Sequence, residues 1–143
     1  MKAIIFFFFL SVSCFAQCDG TLWKYVYHPC RFIVYDSCRT VTGTIKNLKK
    51  EPDGDWHIRL KLDAGQEQML NAKNIARQHG CLVAEVVCAN PITQSDAKKP
   101  CEGCPKNIKV PKRGTHVEVT GTFVNDKPHG WNEIHPVYEL REK

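Results

Sequence analysis

Apolar and polar positions alternate most cleanly over residues 56–62, where Trp56, Ile58, Leu60 and Leu62 interleave with His57, Arg59 and Lys61. Strand side chains point to opposite faces with period two, so this stretch predicts a half-buried strand. Residues 32–48 predict an earlier and longer strand region. It runs from Phe32 to Tyr35, breaks at Asp36-Ser37, then alternates Val41, Gly43 and Ile45 with threonines and Lys46. The apolar run Leu82 to Val87 predicts a short buried strand. His116 to Val124 predicts a fourth, with Val117, Val119, Gly121 and Phe123 inward, and Trp131 to Leu140 a fifth. Residues 68–79 are the best helix candidate, with Leu70, Ile75 and Ala76 as an apolar side, Asn71 as cap and Gly80 as stop.

Turn residues separate these elements. Glu51-Pro52-Asp53-Gly54-Asp55 and Asn125-Asp126-Lys127-Pro128 are turns by composition. Residues 89–114 form a long irregular connection punctuated by Pro91, Pro100, Pro105 and Pro111. Val-Thr-Gly-Thr occurs twice in mid-strand, at 41–44 and 119–122, as if two strands met the same bend. Mid-strand glycine lets a strand kink where a sheet curls. The predicted fold is therefore all-β with one short helix, a five-stranded Greek-key barrel of the OB type. A β-sandwich fits less well, because its seven short strands are hard to find here.

The ends and the composition place this fold in a compartment. Lys2, the apolar stretch Ala3 to Val12 and the small residues around Cys14-Phe15-Ala16 predict a secretory signal over residues 1–16. The apolar stretch falls short of the ~20 residues that span a bilayer. Lipidation at Cys14 or Cys18 fits less well, given Gln17 before Cys18 and Ser11 three residues before Cys14. The division expected is signal peptide 1–16, N-terminal arm 17–31 and barrel domain 32–143, in a secreted or periplasmic protein without a transmembrane segment once the signal is removed. The formal charge of +5 is a mild basic bias with no like-charge block that argues for a nucleic-acid arm.

Eight cysteines, one of them inside the predicted signal, leave an odd number in an oxidising compartment. Disulfides are the default there, with at least one thiol left over. A Cys88–Cys101 bridge would staple the long connection to the barrel. Cys30–Cys38 is a weaker pairing, and Cys18 is the expected unpaired thiol. Cys101-Glu-Gly-Cys104 lacks the strand-then-helix setting of a redox pair.

Several stretches together resemble a family of small exported bacterial proteins of uncharacterised function. They are Val41-Thr-Gly-Thr44, Asp53-Gly-Asp-Trp-His-Ile-Arg-Leu-Lys-Leu-Asp63, Asn90-Pro-Ile-Thr-Gln-Ser-Asp-Ala97, Gly114-Thr-His-Val-Glu-Val-Thr-Gly121 and Trp131-Asn-Glu-Ile-His-Pro-Val137. The resemblance covers roughly residues 32–140 and implies an OB-like barrel. It brings no assigned reaction. It places Cys38, Cys88 and Cys101 at expected positions, with Cys30, Cys81 and Cys104 as additions.

The densest chemistry lies in His129 to Val137. On a strand, Trp131, Glu133 and His135 share one face; Asp55 and His57 likewise share a face of the second strand, and Asp126 and His129 precede the last. Facing a common cleft, Trp131, Glu133, His135, His57, Asp55 and His129 would make a ligand-binding site. His57, Glu133 and His135 are the candidate ligands for a divalent metal, since imidazole and carboxylate suit zinc and its neighbours. No His-Glu-x-x-His signature is present. The bland alternative makes Glu133 and His135 structural hydrogen-bond partners and His57 a solvated strand residue. A nucleic-acid groove would draw on Trp56, Trp131, Tyr35, Lys46, Arg59 and Lys61, with Lys112 and Arg113. The reading that results is an exported OB-fold binding module for a nucleic acid, glycan or protein. A metal-dependent, nuclease-like hydrolase and a structural or interaction protein are the alternatives. Catalysis is the less favoured, and ligand and oligomeric state stay open.

Overall fold

The computed structural model describes residues 18–143, so the predicted signal at 1–16 lies outside the described residues. Five strands make one closed ring: β1 (Phe32–Lys50), β2 (Trp56–Leu62), β3 (Leu82–Val86), β4 (His116–Asp126) and β5 (Asn132–Glu142). Their order is β1-β2-β3-β5-β4, with β4 returning to β1. All pairings are antiparallel except β3–β5, which is parallel.

β1 is long because it serves two partners. Phe32 to Thr44 pairs with β4, and Gly43 to Lys50 pairs with β2. The predicted break at Asp36-Ser37 is a pair of register shifts against β4 inside a continuous strand. The inward side chains, among them Val41, Ile45, Ile58, Leu60, Leu82, Ala84, Val117, Val119 and Ile134, form one buried core. The two Val-Thr-Gly-Thr glycines sit where backbones nearly touch. A Cβ on Gly43 would lie 2.3 Å from the Lys61 carbonyl oxygen, and one on Gly121 2.3 Å from that of Pro136.

The helix is shorter than its sequence pattern. Residues 68–79 split into a 3-10 turn, Glu67–Met69, and α1 (Ala72–Arg77). Asn71 caps α1 as expected: its side chain accepts from the Lys73 and Asn74 amides, and Asn74 returns a bond to the Asn71 amide. The expected apolar side is wrong. Ile75 is 59% exposed, whereas Asn74 is fully buried. Asn74 donates to the carbonyls of Cys81 and Asn132 and accepts from the Asn132 amide, so amide hydrogen bonds dock α1 onto the start of β5.

The N-terminal arm forms two 3-10 turns, Thr21–Tyr25 and Pro29–Arg31. Its disulfide overturns two expectations. Cys18 pairs with Cys38, and Cys30 is an exposed free thiol. The partner for Cys38 thus comes from the far end of the arm instead of from the nearer Cys30. Cys88–Cys101 forms as expected and ties the 89–114 connection to the end of β3. Two disulfides fit an oxidising environment. No helix among the described residues is long and apolar enough to cross a membrane.

Candidate functional site

The site lies on the outside of the ring, across β2, β3 and β5. Antiparallel pairing sets His57 opposite Glu85, and parallel pairing sets Val83 opposite Glu133. Ile58, Ala84 and Ile134 point into the core, so period two turns His57, Glu85, Glu133 and His135 outward. Outward here does not mean solvated: His57, Glu133 and His135 are all buried. The end of the arm, the β1–β2 turn and the β4–β5 turn stand over this face and enclose a cleft of about 570 Å³.

Each side chain of the network is held by another. His135 Nδ1 donates to Glu133 Oε1 at 3.0 Å, and Trp131 Nε1 donates to Glu133 Oε2 at 2.9 Å. His57 Nδ1 donates to Glu85 Oε1 at 2.9 Å, while its Nε2 faces Gln78 Oε1 at 3.3 Å. Gln78 follows α1 and also accepts from Arg59 Nε at 2.9 Å, which links the helix to the cleft. Glu85 Oε2 lies 3.3 Å from His135 Nδ1. Behind His135 stands Asp55, whose Oδ1 accepts the Cys88 amide at 2.7 Å. Asp55 Oδ2 and His135 Nε2 face each other at 3.8 Å, and neither has a hydrogen-bond partner among the described residues.

At the mouth, Arg31 makes a two-point ion pair with buried Asp126, at 2.8 and 2.6 Å. His129 Nδ1 meets the same carboxylate at 2.6 Å and stacks on Trp131, with ring centroids 4.2 Å apart. Phe32 covers His135 from the arm side at 4.7 Å.

Burial and charge pull against each other here. Burial alone would lower the His135 pKa, but its hydrogen bond to Glu133 and the charges of Glu85, Glu133 and Asp55 outweigh it and raise it to about 9. Burial also disfavours charged His57, yet the Glu85 hydrogen bond lifts it above the usual imidazole range. Glu85 stays on the acidic side because His57 and His135 overcome its desolvation. Burial and the nearby Glu85 push Asp55 and Glu133 upward. The network thus holds more carboxylates than cations deep below the surface.

All six sequence-predicted site residues converge on this face. Trp131, Glu133, His135, His57 and His129 line the cleft, and Asp55 lies just beneath it. Asp55 therefore contacts His135 and not its strand neighbour His57. His57 is buried and bonded, which corrects its reading as a solvated strand residue. Among the described residues, a group whose donor atoms lie within 4.8 Å of one another is Asp55, Glu85 and His135, which shares His135 with the expected set of His57, Glu133 and His135. Of the aromatic and cationic groove set, Trp131 and Arg59 line the cleft, while Trp56 packs against the core. Sequence reasoning missed Glu85, Arg31 and Gln78. Glu85 had a signal: it is the one charged residue in the run Leu82 to Val87, in phase with the polar face of its neighbour strand.

The fold and site define a small, disulfide-tied β-ring protein with a polar cleft over a buried histidine–carboxylate network. Comparison of the chain with models of known protein families, and with curated protein sequences, finds no match in either.

Proposed function

We propose that this is an exported binding module of the OB type whose cleft holds a segment of a polar, uncharged chain, a glycan in chemical class. The strand order β1-β2-β3-β5-β4, a long β1 shared between two partners and a parallel β3–β5 pair support the Greek-key barrel. OB barrels bind chain ligands on the β2–β3 face between the β1–β2 and β4–β5 loops, where this cleft lies. The signal pattern of residues 1–16 and the two disulfides support export.

One observation carries the ligand class: the cleft is charge-balanced. Arg31, Lys49, Arg59 and Arg77 are set against Glu51, Asp53, Glu85, Asp126 and Glu133. A nucleic acid needs unopposed cations along its backbone. Arg31 and Lys49 are already paired with Asp126 and Glu51. A hydroxylated chain both donates and accepts, so mixed partners suit it. The His129–Trp131 stack offers an aromatic wall for a sugar ring.

The test is a titration of the oxidised protein with neutral oligosaccharides and, in parallel, with single-stranded oligonucleotides, read from the Trp131 indole N–H resonance. Saturable shifts are expected with a glycan. His129→Ala should weaken that binding roughly two- to tenfold by removing one aromatic layer. Tighter binding of oligonucleotide, with a steep salt dependence, would overturn the glycan reading. A second reading is a metal-dependent hydrolase of the same chain, favoured by the facing Asp55 Oδ2 and His135 Nε2, which have no hydrogen-bond partner among the described residues. Metal-dependent cleavage of the bound chain, lost in Glu133→Gln, would select it.

A further inference from the structure

We infer that Asp55, Glu85 and His135 form a site for one divalent transition-metal ion, zinc by preference. The inference does not rest on the ligand proposed for the cleft.

Two atoms point to it. Asp55 and His135 are 3% and 4% exposed, and Asp55 Oδ2 and His135 Nε2 are left without a hydrogen-bond partner among the described residues. A buried polar atom without a partner is costly, so two that face each other call for a ligand between them. At 3.8 Å they are too far apart to bond directly. Around a tetrahedral ion with bonds of about 2.0–2.2 Å, neighbouring donors sit roughly 3.4 Å apart. The pair is close to that spacing. Glu85 supplies the third donor, since one ligand atom from each of the three lies within 4.8 Å of the other two.

The surroundings aim these atoms. Glu133 accepts the Nδ1 proton of His135, which leaves Nε2 as the metal-facing nitrogen. This is the carboxylate–histidine–metal relay by which proteins fix the tautomer of a ligating imidazole. Trp131 in turn holds Glu133. The Cys88 amide occupies Asp55 Oδ1 and leaves Oδ2 free. His57 orients Glu85 by its other oxygen. His57 and Glu133 thus act as positioning residues and not as ligands.

The donor set selects the ion. The ion displaces the Nε2 proton of His135 to solvent, and the neutral imidazole that results, with two carboxylates, balances a double positive charge. An imidazole donor and a small ligand count disfavour calcium and magnesium, which take mostly oxygen in larger shells. A zinc ion here keeps at least one coordination position toward Glu85 and the cleft, because Glu85 is the least buried of the three.

The experiment is calorimetric titration of zinc chloride into the oxidised protein, purified from an exporting host and stripped with chelator. One zinc per chain is expected. Asp55→Asn and His135→Gln should each weaken it by roughly tenfold or more, as should Glu133→Gln with stoichiometry kept. His116→Ala, at the solvent-accessible pair of His116 on β4 with Asp63 just after β2, should change nothing. Absence of saturable zinc binding overturns the inference, as does wild-type affinity in Asp55→Asn and His135→Gln. Should either variant fail to fold, cobalt(II) in the unmutated protein decides. Ligand-field absorption without thiolate charge-transfer bands supports this set; thiolate bands place the metal on free cysteines and overturn it.

Discussion

Trp131 joins the surface of the cleft to its buried floor. Its ring stacks on His129, and its indole N–H holds Glu133, which holds His135. Trp131→Phe keeps most of the ring and removes the donor. It should cost about 1–3 kcal/mol in urea denaturation, the price of an under-bonded buried carboxylate; an unchanged midpoint would mean that water replaces the indole. At this scale the sequence is half legible. Period two alone puts Trp131, Glu133 and His135 on one face of a strand. Glu85 escapes because an acidic residue within an apolar run reads as solvent-facing. Its partners, His57 and His135, come from two other strands.

Among the elements, the strands follow their alternation and the helix does not. Strand alternation reports directly on which face meets the core. Over six residues, α1 has no room for an apolar stripe, so it is anchored by Asn71 and Asn74 through amide bonds to β5. Those bonds set the position of Asn132, one residue from Trp131 and Glu133 on either side. The repeated Val-Thr-Gly-Thr marks a real constraint, a close approach of backbones at Gly43 and Gly121. Gly121→Ala drives a methyl group into the Pro136 carbonyl and the Ile134 side chain. It should cost about 1–3 kcal/mol, the usual range for overpacking. Thermal melting checks this, and a loss below that range would show that β5 moves aside freely.

For the whole molecule, the two disulfides decide how the cleft is covered. Cys18–Cys38 returns the arm to β1, and Arg31 and Phe32 at the end of that arm reach Asp126 and His135. Cys88–Cys101 closes a short loop, 13 residues apart in sequence, beside the Asp55–Cys88 contact. The double change Cys88→Ala with Cys101→Ala should lower stability by about 3 kcal/mol through loop-closure entropy. It should also loosen Asp55, which amide exchange at Cys88 would report. A variant as stable as the parent would mean that the 89–114 connection is held by its packing alone.

Alternation and turn residues were enough to determine an all-β chain of five strands and the inward and outward faces of those strands, because each depends on near neighbours in sequence. The tertiary structure alone decided that the outward face of β2, β3 and β5 is a covered, ion-dense site. The arm that closes over it lies far from these strands along the chain, and burial of a polar face depends on what packs over it. Only that packing assigned Cys18 to Cys38, brought Glu85 between two histidines, and left Asp55 Oδ2 facing His135 Nε2.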